Sequence, residues 1–236
     1  FGAGSARKVG PLLNAMQPTA YVALDISAAH LQQATAALQA AHPGVPMLGI
    51  CCDHSRLEVL PDHPLLQGQR RLGFFPGSSL GNFTQEEAVR LLRRFRLLLD
   101  GGPLLLGLDQ PKSQTRLEAA YDDAAGISAA FARNLLQRLN RDLSADFQPQ
   151  RFSYQAQWQA AHSRVQMVLV SDCEQTVSIG SSSWRFAAGE PLVTEYSVKY
   201  SPEMACDLAE AAGWRWCRRW HDPADDLSLH WLEPAD

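Results

Sequence analysis

The stretch Phe1-Gly2-Ala3-Gly4-Ser5-Ala6-Arg7-Lys8 opens the sequence and determines how the rest is interpreted. Two glycines one residue apart precede a segment predicted to be helical through Leu12, Leu13 and Met16. A Gly-x-Gly turn lets the backbone approach a ligand closely because no Cβ is in the way. The first turn of the helix then offers backbone N–H groups to that ligand. Since only Phe1 precedes the turn, we expect the sequence to begin at the end of a first strand.

The next apolar run, Tyr21-Val22-Ala23-Leu24-Asp25, ends in an acid. In doubly wound folds a carboxylate about 20 residues after the glycine turn contacts the ribose hydroxyls of a nucleotide. A dinucleotide fingerprint has a third glycine where this sequence has Arg7. That departure disfavours NAD and favours S-adenosylmethionine (SAM), whose methyltransferases need only the first glycines and the acid. An NAD oxidoreductase is the more distant alternative.

Composition excludes several classes of partner. With 236 residues the chain can bury a sizeable core. A net charge of −4 without any basic block disfavours a nucleic-acid partner. No apolar run approaches the roughly 18 residues of a membrane span. We therefore expect a cytoplasmic protein, a monomer, that binds neither nucleic acid nor membrane.

The metal-ligating residue types form no predicted site. The five cysteines are odd in number and lack zinc-ligand spacing, so we interpret them as small buried hydrophobes in a reducing compartment. The seven histidines are scattered along the chain. No metal is therefore expected.

Helix and strand patterns alternate from the glycine turn to Asp109, which is typical of an α/β fold with a parallel sheet. The best-marked helix begins at Thr84, which pairs with Glu87 as a capping box. Its apolar face is predicted from helical spacing to comprise Ala88, Leu91, Leu92, Phe95, Leu98 and Leu99. The continuous apolar run 104–108 indicates a strand covered on both faces.

The pattern changes between positions 110 and 200. Helices are predicted at 115–121 and 127–143, and the second has apolar residues one turn apart at Ile127, Phe131, Leu135 and Leu139. Antiparallel strands are predicted at 152–158, 165–170, 176–179 and 192–198. The sheet resumes with a helix from Ser201-Pro202 and strands at 214–220 and 227–232. We therefore predict a SAM-binding domain at 1–109 and 201–236, with an inserted substrate-binding lid domain at 110–200.

Ligands of open α/β sheets bind beyond the carboxyl ends of the strands. Four groups of residues occupy such ends, and they are Gly2–Gly4, Asp25, Asp53-His54 and Gly77–Asn82. Because these ends meet at one edge of a sheet, we expect the four groups to share one crevice. A helix followed by a final two-strand hairpin is also how SAM-dependent methyltransferases complete their seven-stranded sheet.

Five segments are specific enough to indicate a family. They are Gly77-Ser78-Ser79-Leu80-Gly81-Asn82-Phe83, Leu105-Leu106-Gly107-Leu108-Asp109, Ala120-Tyr121-Asp122-Asp123-Ala124-Ala125-Gly126, Phe131-Ala132-Arg133-Asn134 and Thr194-Glu195-Tyr196-Ser197. Together, and in this order, they strongly resemble the histidine-specific SAM-dependent methyltransferase of ergothioneine biosynthesis over essentially the whole chain. The resemblance implies a class I SAM-methyltransferase fold, Rossmann-like α/β, with an inserted α+β substrate domain and without most of the first strand. It also implies an enzyme that trimethylates the α-amine of L-histidine to hercynine, with S-adenosylhomocysteine (SAH) as the second product.

Roles follow from the resemblance by position. It implies that SAM is held by Gly2, Gly4, Lys8 and Asp25, with Asp53 and His54 near its adenine; relatives often have Phe where this chain has His54. It implies that Asn82 and Tyr121, the catalytic pair, bind the substrate carboxylate, and that Gly77 lies against the amine. Glu195 and Ser197 are implied to bind the imidazole. Their spacing of two on a strand places both side chains on one face.

Each of these residues also has a purely structural interpretation. Asn82 could stabilise a turn, Tyr121 could pack on the sheet, and Glu195 and Lys8 could be solvated surface charges. Two functional alternatives also stay open. One is a methyltransferase for another amino acid, such as a tryptophan derivative, which the presence of Glu195 and Ser197 disfavours. The other is a non-catalytic SAM- or amino-acid-binding protein, because the family also uses tyrosines from a segment upstream of the glycine turn.

Overall fold

The computed structural model describes residues 1–4 and 8–236. Its described helices are α1 (Gly10–Met16), α2 (Ala28–Ala41), α3 (Gln85–Leu99), α4 (Gln114–Tyr121), α5 (Ile127–Leu143) and α6 (Pro202–Ala211). Its described strands are β1 (Tyr21–Asp25), β2 (Met47–Cys51), β3 (Gly73–Phe75), β4 (Leu104–Asp109), β5 (Phe152–Gln159), β6 (Arg164–Ser171), β7 (Gln175–Ile179), β8 (Ser182–Phe186), β9 (Pro191–Val198), β10 (Trp214–His221) and β11 (Leu227–Pro234). Arg7, on which the sequence argument against NAD depends, lies outside the described residues. Within the described part of the chain, no helix combines the length and apolar character needed to cross a bilayer.

The described chain divides into two compact units. The first, called the sheet unit, comprises Phe1–Ser79, Thr84–Leu108 and Pro202–Asp236. The second, called the insertion unit, comprises Leu80–Phe83 and Asp109–Ser201. The roles expected for the two predicted domains, SAM binding and substrate binding, stay predictions.

The sheet unit carries the α/β architecture. Strands β1 and β2 pair in parallel, β3 and β4 pair in parallel, and β10 and β11 form an antiparallel hairpin in a sheet of order β10-β11-β4-β3. Between the two groups of strands, the main-chain nitrogen of Phe1 donates to Phe74 O (3.0 Å) and that of Ala3 donates to Leu24 O (3.1 Å). Residues Phe1 to Ala3 therefore connect β3 to β1, at the position that the first strand occupies in this order of strands. The predicted α/β fold class is confirmed.

Helix α3 forms as its sequence predicts. Thr84 Oγ1 accepts a hydrogen bond from the N–H of Glu87, and the Glu87 carboxylate accepts one from the N–H of Thr84. Two of the backbone N–H groups that a helix start leaves unpaired are thereby satisfied. The six apolar residues predicted for its inner face are all buried. Trp214 of β10 donates its indole N–H to Leu92 O of this helix (3.0 Å).

Helix α5 has the predicted bounds, but only part of its regularly spaced apolar set packs against a core. Ile127 and Phe131 are 71% and 73% exposed, and Ala132 and Leu136 are buried instead. These two residues belong to a core whose other members are Phe147, Phe152, Leu169, Val177 and Phe186. Leu139, one of the four regularly spaced residues, packs against the same core, so the buried face of α5 is formed by Ala132, Leu136 and Leu139.

Two further expectations are corrected in the structure. Strand β8 was not predicted, because four of its five residues are exposed and its sequence, Ser182-Ser183-Trp184-Arg185-Phe186, shows no alternation of buried and exposed positions. It exists through its antiparallel pairing with β7. The prediction that the cysteines are buried is wrong, since Cys51 and Cys217 are exposed and the others are partly exposed. Cys51 ends β2, whose place at the sheet edge leaves it open to solvent.

His230, on β11, is fully buried and is held neutral by its neighbours. The indole N–H of Trp216 donates to His230 Nδ1 (2.8 Å), and His230 Nε2 lies 2.7 Å from Ser228 Oγ. A nitrogen that accepts a hydrogen bond carries no proton, so these contacts fit the neutral ring. Burial, and then the positive charge of Arg219, lower the pKa of His230 to about 4.

This buried ring is expected to make the protein acid-sensitive. The unfolded chain protonates His230 at its ordinary pKa of about 6.5, whereas the folded chain protonates it at about 4. The contribution of the neutral His230 ring to the free energy of unfolding is therefore fully present above pH 6.5 and is lost as the pH falls toward 4. Between about pH 7.5 and about pH 4.5 we expect the wild type to lose about 2–3 kcal/mol more free energy of unfolding than a His230→Gln variant. Urea titrations at both pH values measure this difference, and equal losses would contradict it.

Candidate active site

The glycine turn and the first acid are joined directly in the sheet unit. Gly2 and Gly4 have φ angles of 61° and 50°, in the left-handed region where residues with a Cβ are strained. The N–H of Gly4 donates to Asp25 Oδ2 (2.9 Å), and the N–H of Ser27 donates to Asp25 Oδ1 (2.9 Å). The turn and the carboxylate therefore lie side by side, as the spacing predicts.

Asp25 is ionised and still has acceptor capacity. Partial burial disfavours its charge, but hydrogen bonds from the backbone of Ser27 and Gly4 outweigh this effect, and the pKa of Asp25 lies below its usual range. Each carboxylate oxygen has a second lone pair beyond the one that accepts the N–H. A fixed carboxylate beside a turn without side chains fits the ribose diol of a nucleotide-like ligand such as SAM.

The second strand-end pair is organised differently. Asp53 Oδ1 accepts hydrogen bonds from the N–H (2.9 Å) and hydroxyl (2.6 Å) of Ser55, and the hydroxyl bond is the first cause of its lowered pKa. Asp53 thus stabilises its own turn. The His54 ring is 5.9 Å from the Phe75 ring, and its Cε1 would lie 3.7 Å from a Cβ placed on Gly2. Of these two residues, His54 is therefore the one in contact with the glycine turn.

A cavity of about 390 Å³ lies in the sheet unit behind the glycine turn. Its walls include Gly2, Gly4, Lys8 and Gly77. The other wall residues are mainly apolar and include Leu12, Leu13, Val22, Leu65, Leu66 and Phe74. Its described walls contain no carboxylate, so the cavity lacks the acid that is expected to contact a ribose diol. The side of the turn that faces Asp25 and His54 is the better candidate for the cofactor.

In the insertion unit, Asn82 and Glu195 are brought together from positions 113 residues apart. Asn82 Nδ2 donates to Glu195 Oε1 (2.8 Å). The approach depends on Gly81, because a Cβ there would lie 2.6 Å from the carbonyl oxygen of Val198 on β9. Burial raises the pKa of Glu195 above its usual value.

Tyr121 and Ser197 form the second contact of the insertion unit. Their hydroxyl oxygens are 2.7 Å apart, and Ser197 is buried. The hydroxyl of Tyr154 on β5 donates to the carbonyl oxygen of Tyr121 (2.7 Å), which holds the end of α4. Four of the five residues implied by the resemblance to bind substrate therefore form two hydrogen-bonded pairs, each joining a carboxylate-binding candidate to an imidazole-binding candidate.

One residue that sequence analysis missed contacts both members of the Tyr121–Ser197 pair. Lys199 is fully buried, and its Nζ donates to Tyr121 Oη (2.7 Å), Ser197 Oγ (2.8 Å) and Asp109 Oδ2 (2.7 Å). Burial disfavours the charge of Asp109, but the hydrogen bonds and charges of Lys112 and Lys199 lower its pKa overall. The sequence contained a pattern that could have predicted this residue. Lys199 follows Glu195 and Ser197 at intervals of two, which places its side chain on the same face of the strand.

The fold defines the class of protein. A crystal structure of a SAM-dependent methyltransferase from Clostridium acetobutylicum superposes with a TM-score of 0.53, is 12% identical and covers 100% of this chain and 82% of its own. The CcbJ methyltransferase from Streptomyces caelestis gives a TM-score of 0.51 at 17% identity, with coverage of 100% and 82%. The chain has the fold of the class I SAM-dependent methyltransferases.

The sequence comparison then specifies the family. The model of the family described as histidine-specific methyltransferase, SAM-dependent, matches residues 1–234, and the chain belongs to this family. A histidine N-alpha-methyltransferase of Mycolicibacterium smegmatis is 39% identical over 237 aligned positions, which cover 97% of this chain and 72% of that protein. A protein of the same name from Mycobacterium tuberculosis is 36% identical with the same coverage. The family predicted from the five segments is confirmed, as are its enzymatic class and its use of SAM.

The roles of the individual residues stay predictions. Within the sheet unit the structure brings Gly2, Gly4, Asp25 and His54 together, and places Lys8 and Gly77 as exposed residues on the neighbouring cavity. Asp53 lies next to His54 but is engaged with its own turn. Within the insertion unit, four of the five residues proposed for substrate binding form two hydrogen-bonded pairs, Asn82 with Glu195 and Tyr121 with Ser197.

Proposed function

We propose that this chain transfers methyl groups from SAM to the α-amine of L-histidine, up to the trimethylated product hercynine, as a step of ergothioneine biosynthesis. Its membership of the histidine-specific family supports the reaction. The observation that carries the assignment to this site is the cluster of Asn82, Glu195, Tyr121 and Ser197 within the insertion unit. These groups match the two ends of histidine, a carboxylate and an imidazole ring.

The polar groups of the cluster divide between those two ends. The Asn82 amide has two N–H donors, of which one is given to Glu195 and the second is available for a carboxylate. Glu195 can accept the N–H of an imidazole, and the Ser197 hydroxyl can donate to the other ring nitrogen. This arrangement selects one ring tautomer. It also discriminates against an indole, which has an N–H donor but no ring nitrogen that accepts a hydrogen bond.

The chemistry needs alignment more than acid–base assistance. SAM would supply an electrophilic methyl group, with the S–CH3 bond breaking as the N–CH3 bond forms and SAH leaving. The methylated ammonium would release a proton to water before each further transfer. For the amine to react, it must be neutral and held with its lone pair toward that methyl, and holding both ends of the amino acid fixes this orientation. Asn82 and Tyr121 at the carboxylate, with Glu195 and Ser197 at the ring, serve as the orienting groups in this proposal.

In this proposal the enzyme works as a monomer in the cytoplasm. Its five cysteines, all among the described residues, are free thiols, which agrees with a reducing compartment.

Incubation with SAM and L-histidine is expected to give mono-, di- and trimethylated histidine. Mass spectrometry measures these products over time. L-tryptophan is the matched control substrate, because its indole cannot accept the hydrogen bond offered by Ser197. We expect at least about 100-fold lower kcat/KM for tryptophan, the order of discrimination that an unpaired buried polar group produces. Methylation of tryptophan at a comparable rate would contradict the proposal, as would absence of methylated histidine.

A further inference from the structure

The ammonium group of Lys199 has all three of its N–H donors in use within the insertion unit. They go to Tyr121 Oη, Ser197 Oγ and Asp109 Oδ2, at 2.7, 2.8 and 2.7 Å. The same ammonium lies 4.6 Å from the centroid of the Tyr121 ring. A buried ammonium with three partners has no donor left for a ligand. Lys199 can therefore affect a ligand only through the groups it contacts.

The two hydroxyls beside Lys199 have one proton each. They lie 2.7 Å apart, so one of them donates to the other. As long as that contact persists, only one hydroxyl proton is available to anything else. The proposed function requires two hydroxyl protons, because one hydroxyl donates to the substrate carboxylate and the other donates to the imidazole nitrogen.

Lys199 allows both hydroxyls to donate to a ligand at the same time. Each hydroxyl oxygen accepts an N–H from Lys199, so each keeps a partner when the hydrogen bond between the hydroxyls is given up. The positive charge also favours orientations in which both hydroxyl protons point away from the ammonium. Asp109 balances the charge of Lys199 and is itself paired with Lys112.

We propose that Lys199 is a positioning residue that lets Tyr121 and Ser197 act as hydrogen-bond donors at the same time, one toward the substrate carboxylate and one toward the imidazole. The inference rests on the proposed function, since it assigns a use to both hydroxyls of the same site. In this arrangement Lys199 contacts neither substrate nor SAM. Its effect is on the affinity for the amino acid and on the discrimination among amino acids.

The variant Lys199→Met tests this inference, with Lys112→Met as the matched control. Lys112 also pairs with Asp109 and donates to the carbonyl oxygen of Gln110, but within the described part of the chain it contacts neither hydroxyl. Calorimetry of L-histidine binding in the presence of SAH is expected to show at least about 10-fold weaker binding for Lys199→Met, as for loss of a hydrogen bond to a charged group. Lys112→Met is expected to stay within about 3-fold of the wild type, and both variants are expected to bind SAH normally.

A double-mutant cycle distinguishes positioning from a purely structural role. In a Ser197→Ala background only one hydroxyl remains, so replacement of Lys199 by Met is expected to cost less than about 3-fold in histidine affinity.

If Lys199→Met does not fold, as judged by SAH binding and thermal unfolding, Lys199→Gln replaces it in the cycle with the same expectation. Additive losses, or equal effects of the Lys199 and Lys112 variants, would overturn the inference while histidine methylation by the wild type stands. A wild type that does not bind histidine would overturn both the inference and the proposed function.

Discussion

Replacement of Glu195 by alanine is expected to weaken L-histidine binding by about 10- to 100-fold and to leave SAM affinity unchanged. The carboxylate is proposed to accept the imidazole N–H, and a hydrogen bond to a charged group contributes about 1.5–3 kcal/mol. The same change removes the acceptor of Asn82 Nδ2, so the amide proposed for the substrate carboxylate also loses its position. Calorimetry with histidine in the presence of SAH, and with SAH alone, separates the two affinities.

The matched control is Glu195→Gln, which keeps the size of the side chain and an oxygen acceptor but removes the charge. It is expected to lose less affinity than Glu195→Ala. Because burial raises the pKa of Glu195, the wild-type affinity is also expected to fall at a less acidic pH than an exposed glutamate would give. The Gln variant is expected to lack this glutamate-dependent part of the pH profile. Equal losses of histidine and SAM affinity in Glu195→Ala would contradict the assignment.

The second large effect is expected at Asp25, where alanine should reduce SAM affinity by about 100-fold or more. Two consequences combine. The ribose diol loses its charged acceptor, at a cost of about 1.5–3 kcal/mol, and the N–H of Gly4 loses the oxygen that holds the glycine turn. Binding of SAH by calorimetry measures the loss directly, without dependence on turnover.

Asp53→Ala serves as the comparison for Asp25→Ala. Asp53 is also an acid at the end of a strand, but it accepts from Ser55 and pairs with Arg56 (3.4 Å). Since its carboxylate is engaged in its own turn, we expect its loss to change SAH affinity by less than about 10-fold. If Asp53→Ala weakens SAH binding more than Asp25→Ala does, the cofactor assignment in the sheet unit is wrong.

Much of the sheet unit could be predicted because its signals are local. The capping box of Thr84 and Glu87 is contained in one helical turn, and the inner face of α3 follows from the period of the helix. The proximity of Gly4 and Asp25 follows from the fixed spacing of a strand–turn–helix unit. Residues that satisfy each other within one such unit need no knowledge of the rest of the fold.

The insertion unit was less predictable, because its decisive contacts join residues far apart in sequence. The buried face of α5 depends on the aromatic side chains from other elements that form a core with Ala132 and Leu136. Strand β8 depends on pairing with β7, since its own residues are mostly exposed. Lysine is usually a surface residue, and Lys199 can be buried only because Asp109 and two hydroxyls accept its hydrogen bonds.

Periodicity, capping residues and glycine spacing therefore determined the α/β class, the order of most elements and the proximity of the glycine turn to Asp25. These features depend on interactions between residues that are close together in the sequence, so they can be read from the sequence alone. The pairing of Asn82 with Glu195, the contact of Tyr121 with Ser197 and the burial of Lys199 against Tyr121 and Ser197 were decided only when the chain folded. The physical reason is that a buried charge or hydroxyl is stable only with partners at hydrogen-bond distance, and those partners come from elements separated by up to 113 positions.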